Sequence, residues 1–174
     1  MAKQPDFSKI WKARPEHVDA IVTFLIPILN ETAVQPVSAP RVRETVSDTI
    51  KNGLVVAVGK PNEVEASLGI ILDRFFYTDD FHHKICWYGV GKKWRGQGHA
   101  ILLMRYLRHY CLLSQKMEKK NIPLLAESSI LDDAKGTISI YSRHFDPIGV
   151  IFGMGLPDLP LMDITLGEKP SKAA

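Results

Sequence analysis

The sequence predicts an α/β (α+β) domain, and three observations carry that prediction. Apolar residues recur at helical spacing in two segments near the N-terminus, Val18 to Leu29 and Val42 to Ile50. Strand-like runs follow between Leu54 and Val90. A glycine-rich stretch then joins the last of these runs to a long amphipathic pattern from Ile101 to Lys120, which marks a strand-to-helix junction.

Taken in order, Ser8 to Ala13 reads as a short first strand. Pro15 and Glu16 suit a first helical turn, where the N–H that proline lacks has no partner anyway. Val18, Ile21, Val22, Leu25 and Leu29 then share a helix face. Pro27 lies inside that pattern and removes one hydrogen bond of the ladder, so a kink or an early end is expected there. The stiff connector Gln35-Pro36-Val37-Ser38-Ala39-Pro40 leads to a second helix with Val42, Val46, Thr49 and Ile50 on one face, stopped at Asn52-Gly53.

Leu54 to Val58 reads as a strand, Gly59-Lys60-Pro61-Asn62 as a turn, and about Glu65 to Tyr77 as a longer strand. So short a turn makes the pair an antiparallel hairpin. A loop through Thr78-Asp79-Asp80 precedes the strand Lys84 to Val90. In the helix beyond the glycines, Leu103, Tyr106, Leu107, Tyr110, Ser114 and Met117 form the expected apolar face, with Arg105, Arg108, His109, Lys116 and Lys120 on the solvated one. Lys119 and Lys120 suit its negative end, Asn121 can cap it and Pro123 blocks continuation. Leu124 to Ser128 reads as a strand. A helix from about Asp132 should carry Ile138, Tyr141 and His144-Phe145 until Asp146-Pro147 breaks it, and Ile148 to Met154 and Leu161 to Thr165 read as closing strands around the Pro157–Pro160 turn.

Composition bounds the function. The 174 residues, 45% hydrophobic and 24% charged, fit one domain (1–174) with a core about 8–166 and a polar tail at 167–174. A net charge of +3 from basic residues spread along the chain does not imply nucleic-acid binding. No apolar run approaches the ~20 residues a membrane span needs, and Met1 to Asp6 carry no hydrophobic signal segment, so a cytoplasmic protein without nucleic-acid or membrane partners is expected. The 6 histidines lack metal-ligand spacing, so no metal is expected, and the adjacent His82 and His83 read as a loop or surface pair. Only 2 cysteines occur, Cys86 in an apolar strand and Cys111 in a helix; they give no disulfide framework and read as small core residues. The oligomeric state stays open, a homo-oligomer included.

The stretch from Val90 to Ala100, Val-Gly-Lys-Lys-Trp-Arg-Gly-Gln-Gly-His-Ala, carries the functional signal. A helix start leaves about four backbone N–H groups unpaired and places roughly half a positive charge beside them, so an anion fits there. Glycines at 96 and 98 remove the Cβ atoms that would hold a ligand away, and Lys92, Lys93 and Arg95 add charge. Two nucleotide readings fail on spacing. Gln97-Gly98 stand where the P-loop pattern G-x-x-x-x-G-K-[ST] requires Lys and Ser or Thr, and Trp94 occupies the third glycine position of a G-x-G-x-x-G begun at Gly89.

Arg95-Gly96-Gln97-Gly98-His99-Ala100, preceded by Val90 at a strand end, resembles the pyrophosphate-binding signature [RQ]-x-x-G-x-[GA] of the GNAT superfamily of N-acetyltransferases. The predicted order, β-α-α-β-β-β-α-β-α-β-β, resembles that family's fold from about Ser8 to Leu166. Ile140-Tyr141-Ser142-Arg143-His144-Phe145 is similar to its Y-x-x-x-G-F stretch, with His144 where the glycine usually stands. The resemblance implies a GNAT-like fold with a central mixed, mostly antiparallel sheet flanked by helices. It implies acetyl-CoA as acetyl donor, held by backbone groups near Arg95, Gly96, Gln97, Gly98, His99 and Ala100, with Tyr88 and Val90 alongside the pantetheine arm. It places Tyr141 as the acid that protonates the leaving thiolate and Glu127 as the base for the amine, with His82, His83, Asp79 and Asp80 as fallbacks. The acceptor is an amine of a small molecule or a protein, framed by Gln35–Arg43 and Gly153–Pro160. A reading of another class, a non-catalytic GNAT-like module in a larger assembly with acyl-CoA binding weakened or lost, stands beside the enzyme.

Overall fold

Alternation along five strands decides the layering. In the computed structural model, which describes residues 6–33, 36–74, 79–119 and 122–125, β1 (Ile10–Lys12), β2 (Gly53–Lys60), β3 (Glu63–Arg74), β4 (Phe81–Val90) and β5 (Leu124–Leu125) lie side by side in chain order. The first four pair antiparallel, while β5 runs parallel to β4, so the sheet is mixed and mostly antiparallel, as expected. Helices α1 (Val18–Thr32), α2 (Ala39–Asn52) and α3 (His99–Glu118) cover it.

Successive strand residues point to opposite faces, and β2 is apolar at every one of its central positions, so it feeds two cores. Leu54, Val56 and Val58 pack with Ala66, Leu68 and Ile70 of β3 and with Leu103, Met104 and Leu107 of α3. Val55 and Ala57 pack on the other face with Ile21, Val22 and Leu25 of α1 and Val46 of α2. The expected hairpin joins β2 to β3, closing at the Lys60–Glu63 pair, and a bulge follows Val58, where Gly59 takes a left-handed φ of 95°. Gly53 ends α2 and begins β2 at once; a Cβ there would collide with the Ile70 carbonyl, so close approach of two backbones is what requires glycine.

Several expectations are corrected. Helix α1 does not end early at Pro27 but runs on to Thr32. Pro27 and Thr23, whose carbonyl loses its helical donor, are both exposed, so water can serve that carbonyl while Leu25 and Leu29 hold the helix on the core. β4 begins three residues earlier than expected, at Phe81, and His82 and His83 are therefore buried strand residues rather than a surface pair. The buried face of α3 is turned toward Met104 and Cys111 relative to the expected one, leaving Met117 79% exposed. Tyr106 and Tyr110 sit at the flank of that face, where a phenol hydroxyl can still reach a polar partner. Lys119, in a left-handed conformation with φ 53°, caps α3. Asn121, most of the strand expected at Leu124–Ser128, and everything expected beyond it lie outside the described residues.

Candidate functional site

The end of β4 delivers the chain into the glycine-rich turn under firm control from β3. Val90 pairs with Ala66, and one residue later the Gly91 N–H donates to the Glu65 carbonyl at 2.9 Å. Lys92–Trp94 form a 3-10 turn, closed by the Trp94 N–H on the Gly91 carbonyl at 2.7 Å. Gly96 and Gly98 then adopt left-handed φ values of 81° and 85°, a region that costs an L-residue about 1–2 kcal/mol. Among the described residues a Cβ built at either glycine would meet nothing within 4 Å, so no described group fills the space in front of the turn.

Helix α3 starts from that second glycine. Its first intrahelical bond runs from the Leu102 N–H to the Gly98 carbonyl at 3.0 Å, so the N–H groups of His99, Ala100 and Ile101 leave the helix end without an intrahelical partner. Gly98, at the N-cap, offers no side chain to satisfy them. Two of the six positions expected to donate are engaged within the turn: the Arg95 and Gln97 N–H groups reach the Lys92 and Trp94 carbonyls, each at a long 3.4 Å.

The charges are arranged around this cradle. Arg95 forms a 2.6 Å ion pair with Glu31 near the end of α1. Lys93 lies 3.4 Å from Glu63 and 4.6 Å from the centre of the Trp94 ring. His99 Nε2 stands 3.1 Å from a Glu65 carboxylate oxygen, within ion-pair range though not aligned as a hydrogen bond. Glu65 escaped the sequence reading, since a contact made across the sheet leaves no local signal in the chain.

Along β4, Tyr88 and Val90, two residues apart and so on one face, are half-buried and pack against the α3-side core, and the described part of the parallel ladder pairs His83 with Leu124 and Lys84 with Leu125. Gly69 pairs with Trp87 and Ile70 with Ile85, so Cys86 is the extra residue of a bulge in β4. Beside it a cavity of about 240 Å³ is lined by Thr45, Asp48, Thr49 and Asn52 of α2 together with Ile71 and Cys86. Burial raises the Cys86 thiol above its ordinary range against an opposing hydrogen bond with Thr49, and burial pushes the Cys111 thiol up to about 11, so both stay protonated core thiols.

Among the fallback bases, Asp79 and Asp80 are exposed just before β4. His83 is fully buried beside Tyr110, ring centres 5.5 Å apart, and His82 is buried too, so neither ring is open to an incoming amine. Glu127 and Tyr141 lie outside the described residues, as do Gly153–Pro160. Among the described residues no group of His, Cys, Asp or Glu side chains is placed to hold a metal ion.

No family sequence profile matches the chain, and no curated protein does. Solved structures do match. A "predicted acetyltransferase with acetyl-CoA" from Clostridium acetobutylicum superimposes with a TM-score of 0.59 at 16% identity, over 87% of this chain and 95% of that one. A "possible acetyltransferase" from Clostridium difficile 630 gives 0.59 at 17% identity, over 84% and 97%. The fold is that of the GNAT acetyltransferases. A third protein of this fold, an aminoglycoside acetyltransferase from an uncultured soil metagenomic sample solved in complex with sisomicin, gives 0.55 at 14% identity, over 85% and 95%. On this fold, the glycine-rich turn 91–98 joins the central sheet to α3.

Proposed function

We propose that this protein is an acetyl-CoA-dependent N-acetyltransferase, moving the acetyl group to an amine of a small molecule or a protein. One observation carries the reading: on an acetyltransferase fold, the β4–α3 turn presents the N–H groups of His99, Ala100 and Ile101 to open space, with Gly96 and Gly98 held left-handed beside them. That cradle fits a pyrophosphate in charge and in the missing Cβ atoms at Gly96 and Gly98. Arg95, Gly96, Gln97, Gly98, His99 and Ala100 would hold it, and Tyr88 and Val90 would flank the pantetheine arm. Lys92 and Lys93 add positive charge nearby.

Bound there, acetyl-CoA supplies an activated acyl group. The acceptor nitrogen forms a C–N bond to the acetyl carbon as the C–S bond breaks, the amine gives up a proton and the departing thiolate gains one. A base and an acid are therefore wanted. We assign the base to Glu127 and the acid to Tyr141.

Thermal melts test the donor. A ligand bound only by the native state adds RT ln(1 + [L]/Kd), roughly 2.7 kcal/mol at a hundredfold excess over Kd, so acetyl-CoA should raise Tm in a saturable way and beyond ATP or NAD. No shift with millimolar acetyl-CoA, or a larger one with ATP, overturns the reading. An acceptor screen with the purified full chain then identifies the amine.

A further inference from the structure

We infer that Glu65 is a positioning residue for the anion turn, gripping both of its ends from β3 and thereby setting the affinity for the pyrophosphate it does not touch. The inference rests on the cofactor reading above and concerns residues outside the signature. Glu65 occupies the bulge of the β2–β3 hairpin, where Val58 pairs with Ala66 and Gly59 with Val64, so it belongs to no ladder pair with β2. Its carbonyl accepts the Gly91 N–H at 2.9 Å, at the entry of the turn. Its carboxylate lies 3.1 Å from His99 Nε2, at the exit, where α3 begins.

Both partners are largely shielded, with side chains 21% exposed for Glu65 and 12% for His99, so little water competes for the contact. The surroundings fix it further. A Cβ on Gly59, whose φ is +95°, would come within 2.5 Å of the Glu63 carbonyl oxygen and 2.7 Å of Glu65 Cγ, so the glycine leaves room for the Glu65 side chain beside it. The Trp94 ring, centred 6.1 Å from that of His99, lies beside the pair. A turn whose interior is two left-handed glycines has little stiffness of its own. Beside the Arg95–Glu31 pair that ties its middle to α1, its ends therefore orient the N–H groups of His99, Ala100 and Ile101, and one residue of β3 touches both.

A second effect of the same carboxylate has the opposite sign, which makes the inference sharp. A negative charge near an anion site opposes binding unless it is offset, so a Glu65 that merely stood nearby would weaken CoA, and its removal would tighten it. Positioning predicts the reverse.

The test is calorimetric titration of CoA into the full-length protein and its Glu65→Ala, Glu65→Gln and His99→Asn variants, with a melt of each. Binding by the unsubstituted protein checks the cofactor reading by itself; without it, both that reading and this inference fall. Given binding, Glu65→Ala should weaken CoA about tenfold, the scale of one lost polar contact. Glu65→Gln, which keeps an oxygen at the same reach, should recover most of that loss. Adding His99→Asn to Glu65→Ala should cost little more than the worse single change. Tighter or unchanged CoA binding in a folded Glu65→Ala, a Glu65→Gln as weak as the alanine variant, or additive losses in the double variant would each overturn the inference while leaving the cofactor reading in place. Should Glu65→Ala fail to fold, Glu65→Gln and His99→Asn carry the test: weaker binding in His99→Asn with near-native binding in Glu65→Gln supports it, and native binding in His99→Asn overturns it.

Discussion

Arg95 donates to the Glu31 carboxylate at 2.6 Å and so ties the anion turn to the far end of α1. The arginine of the signature is thus already engaged, with side chains 41% and 37% exposed. An exposed pair of this kind is worth roughly 0–1 kcal/mol, whereas the backbone cradle has several donors. Arg95→Ala should therefore weaken acetyl-CoA less than Gly98→Val, whose side chain would enter the open space in front of the turn. The φ of 85° at Gly98 also makes the valine variant less stable, by about 1–3 kcal/mol. Calorimetric titrations of the two variants rank them; an arginine variant with the larger loss would show that side-chain charge outweighs the backbone.

The parts of this arrangement that local chemistry dictates were legible in the chain. The strand-to-helix junction at Val90–Ala100, the hairpin around Pro61-Asn62 and the helix stop at Asn52-Gly53 each need particular residues at particular places, and the structure has all three. What depends on partners distant in sequence was not legible. His82 and His83 look polar in the chain, and only their place in β4, within a sheet covered by helices and with His83 against Tyr110 of α3, buries them. Pro27 breaks a helix by itself, yet here the apolar positions on both sides of it keep the helix on the core. Glu65 reads as an ordinary hairpin glutamate until β4 and α3 are placed against it.

A buried relay on the α1–α2 side gives a stability prediction. Trp87 Nε1 donates to Ser67 Oγ at 3.1 Å, and that hydroxyl donates to the Val56 carbonyl at 3.1 Å. The indole lies over Gly69, where a Cβ would come within 2.6 Å of the ring. Ser67→Ala leaves the Trp87 N–H buried without its acceptor, a loss of about 1–3 kcal/mol. Trp87→Phe in the same background removes the orphan donor and should make the serine nearly dispensable. Chemical denaturation of both single variants and the double variant measures this; equal costs for Ser67→Ala with and without Trp87 would refute the relay.

Acid sensitivity should trace in part to His83. Burial, and secondarily the neighbouring His82, lowers its pKa below the ordinary 6.5. Above that value the imidazole is neutral in both folded and unfolded chains. As pH falls below 6.5 the unfolded chain takes up the proton first, so the stability present at higher pH is lost toward the lower folded-state value. His83→Leu should flatten the stability profile on the acid side of 6.5 and change it little above, apart from a constant offset. Denaturant midpoints measured across that range check it, and an unchanged acid slope would remove His83 as the cause.

The acid assigned to Tyr141 makes the most direct claim about chemistry. Tyr141→Phe keeps the ring and removes only the transferable proton. If the phenol protonates the leaving thiolate, acetyl-CoA affinity should stay near that of the unsubstituted protein while turnover falls about 10²–10⁴-fold, the usual weight of general acid catalysis. A tyrosine that only packs would behave otherwise: the lost hydroxyl would change stability by roughly a kcal/mol and leave activity per folded molecule alone. Measuring kcat with the acceptor found in the screen, beside a melt and a CoA titration on the same variant, separates the two. An unchanged kcat in a well-folded Tyr141→Phe would assign the proton to another donor.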